Sequence, residues 1–283
     1  MKKFTIISDS CCDLNSKDLT DDTIDFVTVP ISYNLGGVDY ADDEGNDIID
    51  LARKLRENKN APKSACPPPE IFADAMRAAA TNHIFVVTIS HGLSGTFNSA
   101  RLAAETVCAE NTNKKIHVFD SLTASAGLAR MVLKLVELIK KGDIEFDAIC
   151  DRLPAIRSRN RTRLLLNDLG NLVKSGRMSK VLGLITSVVP LKLILGDNTE
   201  GEIKKHKQVL GFKKGIETLA EYPANDRADS DDLIVITHCN NPEGVGLIRT
   251  ILESKFGFKN IKTFLMRGIA TFFANDKGIV LAY

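Results

Sequence analysis

The sequence predicts an α/β protein built on a parallel sheet, and three observations carry that prediction. Short β-branched runs alternate with helical stretches, among them residues 3–8 (KFTIIS), 84–89 (IFVVTI), 116–119 (IHVF) and 233–238 (LIVITH). Runs of this length suit strands buried on both faces, and a repeated strand–loop–helix order favours parallel pairing. The first three runs end in small polar loops, DSCCD, SHGLSGT and DSLTAS, at the sheet edge where ligands bind in such folds. Finally, 44% of the 283 residues are hydrophobic, enough to bury a large core.

In order along the chain, residues 3–8 form the opening strand, with Asp9 and Ser10 in the loop that closes it. Residues 26–33 (FVTVPISY) read as a second strand with an irregular end at Pro30. Residues 39–50 (DYADDEGNDIID) are strongly acidic but lack the calcium-loop order, so a solvated loop feeding a helix over 48–57 is expected. Residues 59–69 (KNAPKSACPPP) form a stiff connector that holds Ser64 and Cys66 in place, and its last prolines start a helix over 70–80. Helices follow over 97–105, 127–141 and 146–157. Strands are expected over 161–167, 202–208, 233–238, 261–267 and 278–283, with helices over 210–222 and 242–256. The character of the chain changes near Asn160, which divides it into α/β domains of residues 1–160 and 161–283.

The stretch with most chemistry is residues 84–100 (IFVVTISHGLSGTFNSA). A strand, a loop of glycines and hydroxyls, and a helix N-terminus bring unpaired N–H groups to the carboxyl edge of a sheet. The helix dipole adds partial positive charge there, so the loop suits a carboxylate or phosphate. The plainer alternative is that Ser94 or Thr96 caps the helix.

Composition excludes several classes. Net charge is +1, from 37 basic and 36 acidic residues, and gives no electrostatic reason to expect nucleic acid. Met1-Lys2-Lys3 runs directly into the first strand, too short for a secretory core, and no stretch has the length of a membrane span, so a cytoplasmic location is expected. The six cysteines show no metal or redox spacing and are expected reduced; no metal site and no cofactor are expected. A serine hydrolase using Ser94 is the main alternative, yet G-x-S-x-G would require glycine where Thr96 stands. His206 and His238 lie downstream without a compelling triad order. Neither phosphate-binding glycine motif occurs, which argues against a nucleotide-using phosphotransferase.

The order and spacing of SDSCCDL, VPISY, KSACPPPEIF, SHGLSGTFNSA, VFDSLTASAG, NLVKSGRMSK and VVPLKLIL resemble the DegV family over nearly the whole chain. The resemblance implies a two-domain α/β fold holding a long-chain fatty acid between the domains, and a lipid-binding protein rather than an enzyme. It implies a carboxylate held by Ser94, by the N–H groups of Gly95 and Thr96, and by Ser64 of the Ser64-Ala65-Cys66-Pro67 loop. The family's usual Thr-Ser-x-Pro loop is thus reduced to one hydroxyl. Some members are similar to the binding subunit of fatty acid kinase, which presents the carboxylate to a separate ATP-dependent kinase for phospholipid synthesis. Arg177 matches the family's Gly-Gly-Arg turn and is a partner-facing candidate. Relatives usually carry a histidine near the C-terminus, but residues 270–278 (ATFFANDKG) contain none, leaving His91 as a candidate replacement donor. Phe97 and residues 181–195 are candidates for the tunnel wall.

Overall fold

The computed structural model describes residues 2–19, 21–57, 63–142, 145–178 and 191–283. In chain order the strands are β1 (Phe4–Asp9), β2 (Ile24–Val29), β3 (Ser32–Leu35), β4 (Val38–Ala41), β5 (Lys63–Ala65), β6 (His83–Thr88), β7 (Lys115–Asp120), β8 (Thr162–Leu165), β9 (Leu191–Asp197), β10 (Ile203–Leu210), β11 (Ile234–His238), β12 (Ile261–Leu265) and β13 (Ile279–Ala282). The helices are α1 (Ile48–Glu57), α2 (Pro69–Ala78), α3 (Thr96–Glu110), α4 (Ala126–Lys140), α5 (Phe146–Arg159), α6 (Gly170–Lys174), α7 (Phe212–Asn225), α8 (Pro242–Thr250) and α9 (Gly268–Ala274).

The N-terminal half carries a four-stranded sheet of order β2-β1-β6-β7, parallel throughout. Both of its faces are covered, which is why its strands read as unbroken apolar runs. Ile84 and Val86 pack with Phe72, Met76 and Val107 of α2 and α3. Phe85 and Val87, the alternate residues, face the opposite way, toward Leu128, Val132 and Phe146. The second sheet has order β10-β9-β8-β13-β11-β12 and is mixed, since only β11 and β12 run parallel. Its outer face packs on α7 and α8 through Ile194, Ile236 and Leu281.

Helix α4 lies between the sheets, against β6 on one side and β11 and β13 on the other. Its sequence AGLARMVLKLVELIK is apolar almost all round, and Leu128, Ala129, Met131, Val132 and Leu135 are buried accordingly. The approach is closest at Gly127, next to the Thr123–Thr162 hydroxyl pair (Oγ1···Oγ1 2.7 Å). A Cβ there would stand 2.1 Å from Thr123 Oγ1 and 2.3 Å from Thr162 Oγ1.

Two expectations need correction. Residues 26–33 do not form one strand: β2 ends at Val29, and β3 joins a separate antiparallel ribbon of order β4-β3-β5. Pro30 has no N–H to continue the ladder, so the chain leaves the first sheet there. The acidic stretch is not wholly a solvated loop, because residues 38–41 are β4 and Asp42 is fully buried. Between the strands expected over 261–267 and 278–283 lies a helix, α9, that the sequence does not announce.

Asp42 is buried because it caps α9: its carboxylate accepts the N–H groups of Gly268 and Ile269, both at 2.8 Å. Arg267 donates Nη2 to the Asp42 carbonyl (2.8 Å), and its backbone N–H goes to Asp13 Oδ1 (2.8 Å). Asp13 also accepts from Ser125 Oγ, which pairs with Thr237 Oγ1 at 2.7 Å. Asp9 receives the N–H groups of Cys11 (3.0 Å) and Ile89 (2.7 Å). Burial pushes the Asp9 and Asp13 carboxyls up to about 7, against the N–H groups that favour the charged form.

Gly127→Ala should destabilise the chain by about 2 kcal/mol or more, read as a lowered urea midpoint, because two buried hydroxyls must move. Asp9 supplies a pH test. Its raised folded pKa contributes stability below its unfolded value of 3.8 that is lost as pH rises through about 7. Asp9→Asn cannot ionise, so the variant should gain on the parent as urea unfolding is repeated from about pH 3 to about pH 8, a window that spans both pKa values.

Candidate functional site

A cavity opens between the carboxyl edge of the first sheet and the inner face of the second. It encloses about 690 Å³ of non-atom space including its mouth. Ile89 and Leu93 come from the β6–α3 loop, Leu164 from β8, Ile203 from β10, and Ala270, Phe273 and Ala274 from α9. Cys11 also lines it, and burial holds its thiol well above the ordinary range, so it acts as apolar wall. The remaining polar wall among the described residues is Ser64, Ser94, Ser125 and Arg177, the last being the only charged group.

The structure brings Ser64 and Ser94 to this one cavity. Ser94 sits in the loop before α3, which its backbone N–H closes by donating to Ser90 O (3.1 Å). Its hydroxyl pairs with Thr96 Oγ1 at 2.8 Å. When Thr96 donates in that pair, the Ser94 proton is left to point at a ligand. Neither hydroxyl caps the helix among the described residues: Gly95 is the N-cap residue, and the Ser94 and Thr96 hydroxyls bond each other. The capping alternative therefore fails, and the helix start keeps its donors for something else.

Ser64 arrives from a different direction. It lies on β5, paired with Tyr33 of β3, and its hydroxyl has no partner among the described residues. The loop after it is clasped to α3, because Ser99 Oγ donates to Pro67 O at 2.5 Å. A Cβ at Gly95 would stand 3.2 Å from Cys66 Sγ, so glycine permits this close approach.

Other candidates land elsewhere. Thr96 is fully buried, and neither it nor Gly95 forms part of the described wall; they stand directly behind Ser94. His91 is not on the described wall either. Its ring is 57% exposed and its Nδ1 binds Asp120 Oδ2 at 2.6 Å, which turns it away as a replacement head-group donor. That His–Asp pair does not bond Ser94, and no histidine or carboxylate does among the described residues, so a nucleophile at Ser94 has no base beside it. Arg177 lines the cavity: its guanidinium lies 5.8 Å from the Phe273 ring centre and donates to Ser175 O at 2.8 Å. Phe97 is not on the described wall; of residues 181–195, those up to 190 fall outside the described residues, and 191–195 belong to β9. Residues 270–278 begin within α9, whose Ala270, Phe273 and Ala274 line the cavity.

Ser125 escaped the sequence reading as a site residue. It holds φ 54° and ψ −124°, sparsely populated for a non-glycine residue, at the N-terminus of α4. Its hydroxyl is spent inward on Asp13 and Thr237, so it shapes the wall without offering its proton. The polar run DSLTAS was visible, but nothing in it distinguished Ser125 from its neighbours.

Comparison with known proteins settles the family. The family model described as "Uncharacterised protein, DegV family" matches residues 3–278. The chain belongs to the DegV family. A DegV domain-containing protein of Streptococcus pyogenes serotype M1 is 31% identical over 278 residues, 98% of each chain. The crystal structure of the Streptococcus pneumoniae Fatty Acid Kinase (Fak) B3 protein loaded with linoleic acid superposes on this DegV chain with a TM-score of 0.92. It is 28% identical and the match covers 99% of both chains. A DegV family protein from Ruminococcus gnavus with vaccenic acid gives 0.91 at 28% identity, covering 100% of this chain and 99% of its own.

Proposed function

We propose that this chain binds a long-chain fatty acid in the cavity, with the carboxylate at Ser64 and Ser94 and the acyl tail along the apolar wall. The observation that carries the reading is the wall itself, which among the described residues is aliphatic and aromatic except for Cys11, three serines and one arginine. A buried carboxylate is costly unless donors meet it. Two hydroxyls and the open N–H groups at the start of α3 supply them, and Arg177 supplies charge from the same cavity. Each methylene hidden from water contributes about 0.8 kcal/mol, so most of the affinity comes from the tail, less the cost of ordering it. The fatty acids in the Streptococcus pneumoniae and Ruminococcus gnavus relatives support this class of ligand.

The finer reading is that the chain presents its ligand to a separate kinase. In that reaction a carboxylate oxygen attacks the γ-phosphorus of ATP on the partner and ADP leaves, giving an acyl phosphate. The likeness to the Fak B3 protein favours this role over hydrolysis. The reading includes a cytoplasmic location, and among the described residues no helix is long and apolar enough to cross a membrane. It also places the domain boundary near residue 160, between strands of the first sheet and those of the second.

Native mass spectrometry of the gently purified protein should show one fatty acid per chain, of the linoleic or vaccenic class; a chain carrying nothing, or a nucleotide, would reject the proposal. Ser94→Ala should weaken fatty-acid binding by roughly 10- to 150-fold, the equivalent of one charge-assisted hydrogen bond, with the urea midpoint little changed. Unchanged affinity would remove Ser94 from the head-group site.

A further inference from the structure

A second cleft lies on the opposite side of the strands that wall the first cavity. On β8, Leu164 faces the apolar cavity while Arg163 faces the cleft; on β10, Ile203 and Lys204 divide in the same way. This is the two-residue alternation of a strand, so the sheet itself is the partition. The cleft encloses about 1020 Å³ of non-atom space including its mouth.

Its charge is unbalanced. Gly196 on β9 pairs with Arg163 on one side and Lys204 on the other. Directly paired residues share a face, so two cations stand across a residue with no side chain, about 10 Å apart at two strand spacings. The space above Gly196 is occupied by the His206 ring, whose Nε2 would be 2.8 Å from a Cβ there. Arg163 has acidic neighbours, Asp226 at 3.3 Å and Asp197 at 3.8 Å. It is 6% exposed, yet its Nε has no hydrogen-bond partner.

Arg157, Arg161 and Lys204 also line the cleft; its one lining carboxylate, Asp197, lies beside Arg163, and no carboxylate pairs with the other three among the described residues. Arg157 donates to Asp120 O (3.0 Å) and stacks on Phe119, while Arg161 donates to Ser158 O (2.7 Å) and Asn160 O (3.0 Å). Backbone carbonyls position these guanidinium groups without neutralising them. Arg77, by contrast, meets three carboxylates, Glu70, Asp74 and Glu110.

We propose that this cleft is a binding site for a phosphate-bearing anion of two or more negative charges, gripped by Arg157, Arg161 and Lys204 with Arg163 at its floor. Guanidinium forks match phosphate oxygens two at a time, and a cluster of uncompensated cations favours a multivalent anion over a single carboxylate. The site is independent of the fatty-acid proposal, since it uses the other face of the sheet.

The test is calorimetric titration of pyrophosphate into the full chain at low ionic strength, with sodium chloride of matched ionic strength as reference. Saturable binding is expected, weakened roughly tenfold or more by Arg161→Gln and by Lys204→Gln. Lys3→Gln, a distant exposed lysine, and Ser94→Ala should leave it unchanged. Circular dichroism and thermal midpoints establish that each variant is folded. The proposal is overturned if heats do not exceed those of chloride, or if Lys3→Gln weakens binding equally. Loss with Ser94→Ala would place the anion in the first cavity and also overturn it, as would binding to phosphatidylglycerol vesicles without binding to pyrophosphate.

Discussion

The structure depends on two buried carboxylates that join the ends of the chain. Asp13 and Asp42 receive the backbone N–H groups of residues 267–269, and Arg267 returns hydrogen bonds to Leu14 O and Asp42 O. Partners more than 220 residues apart in sequence are thereby fixed in one place. Burying acids is unfavourable in itself, and it is tolerated here because helix-terminal donors and one arginine meet them. The same contacts set the orientation of α9, which carries Ala270, Phe273 and Ala274 into the cavity. Wall geometry is therefore a by-product of the interior polar network.

Much of the parallel sheet was legible because its strands are buried on both faces and flanked by polar loops. The runs at Phe4, Ile84 and Lys115 announce themselves by β-branching, and the last two lead directly into α3 and α4. What could not be read was pairing at long range. Nothing local distinguishes Asp42 from the acidic residues around it; its burial follows from an N-terminus supplied by α9 on the far side of the sequence. Helix α9 itself is seven residues long, too short to show a period, and its first turn is stabilised from outside.

The candidate site shows the same division. Ser94 was visible as part of a strand–loop–helix transition, whose chemistry is local. His91 lies three residues earlier, but its orientation is decided by Asp120 at the end of β7. Arg177 reads as a turn arginine in sequence and becomes a wall residue because Phe273 offers its ring face. Ser125 gained its place through a backbone conformation that no composition signal reveals.

The break at Pro30 has a consequence for how the two sides of the cavity mouth are governed. Ser94 is mounted on the main parallel sheet, whose strands are locked between helices. Ser64 rides on the outlying three-stranded ribbon, and is bound to it by pairing with Tyr33. Drift in the ribbon can reposition one hydroxyl while the scaffold bearing the other stays as it was. A substitution in the ribbon can in this way shift one donor without renegotiating the interior that keeps the chain folded.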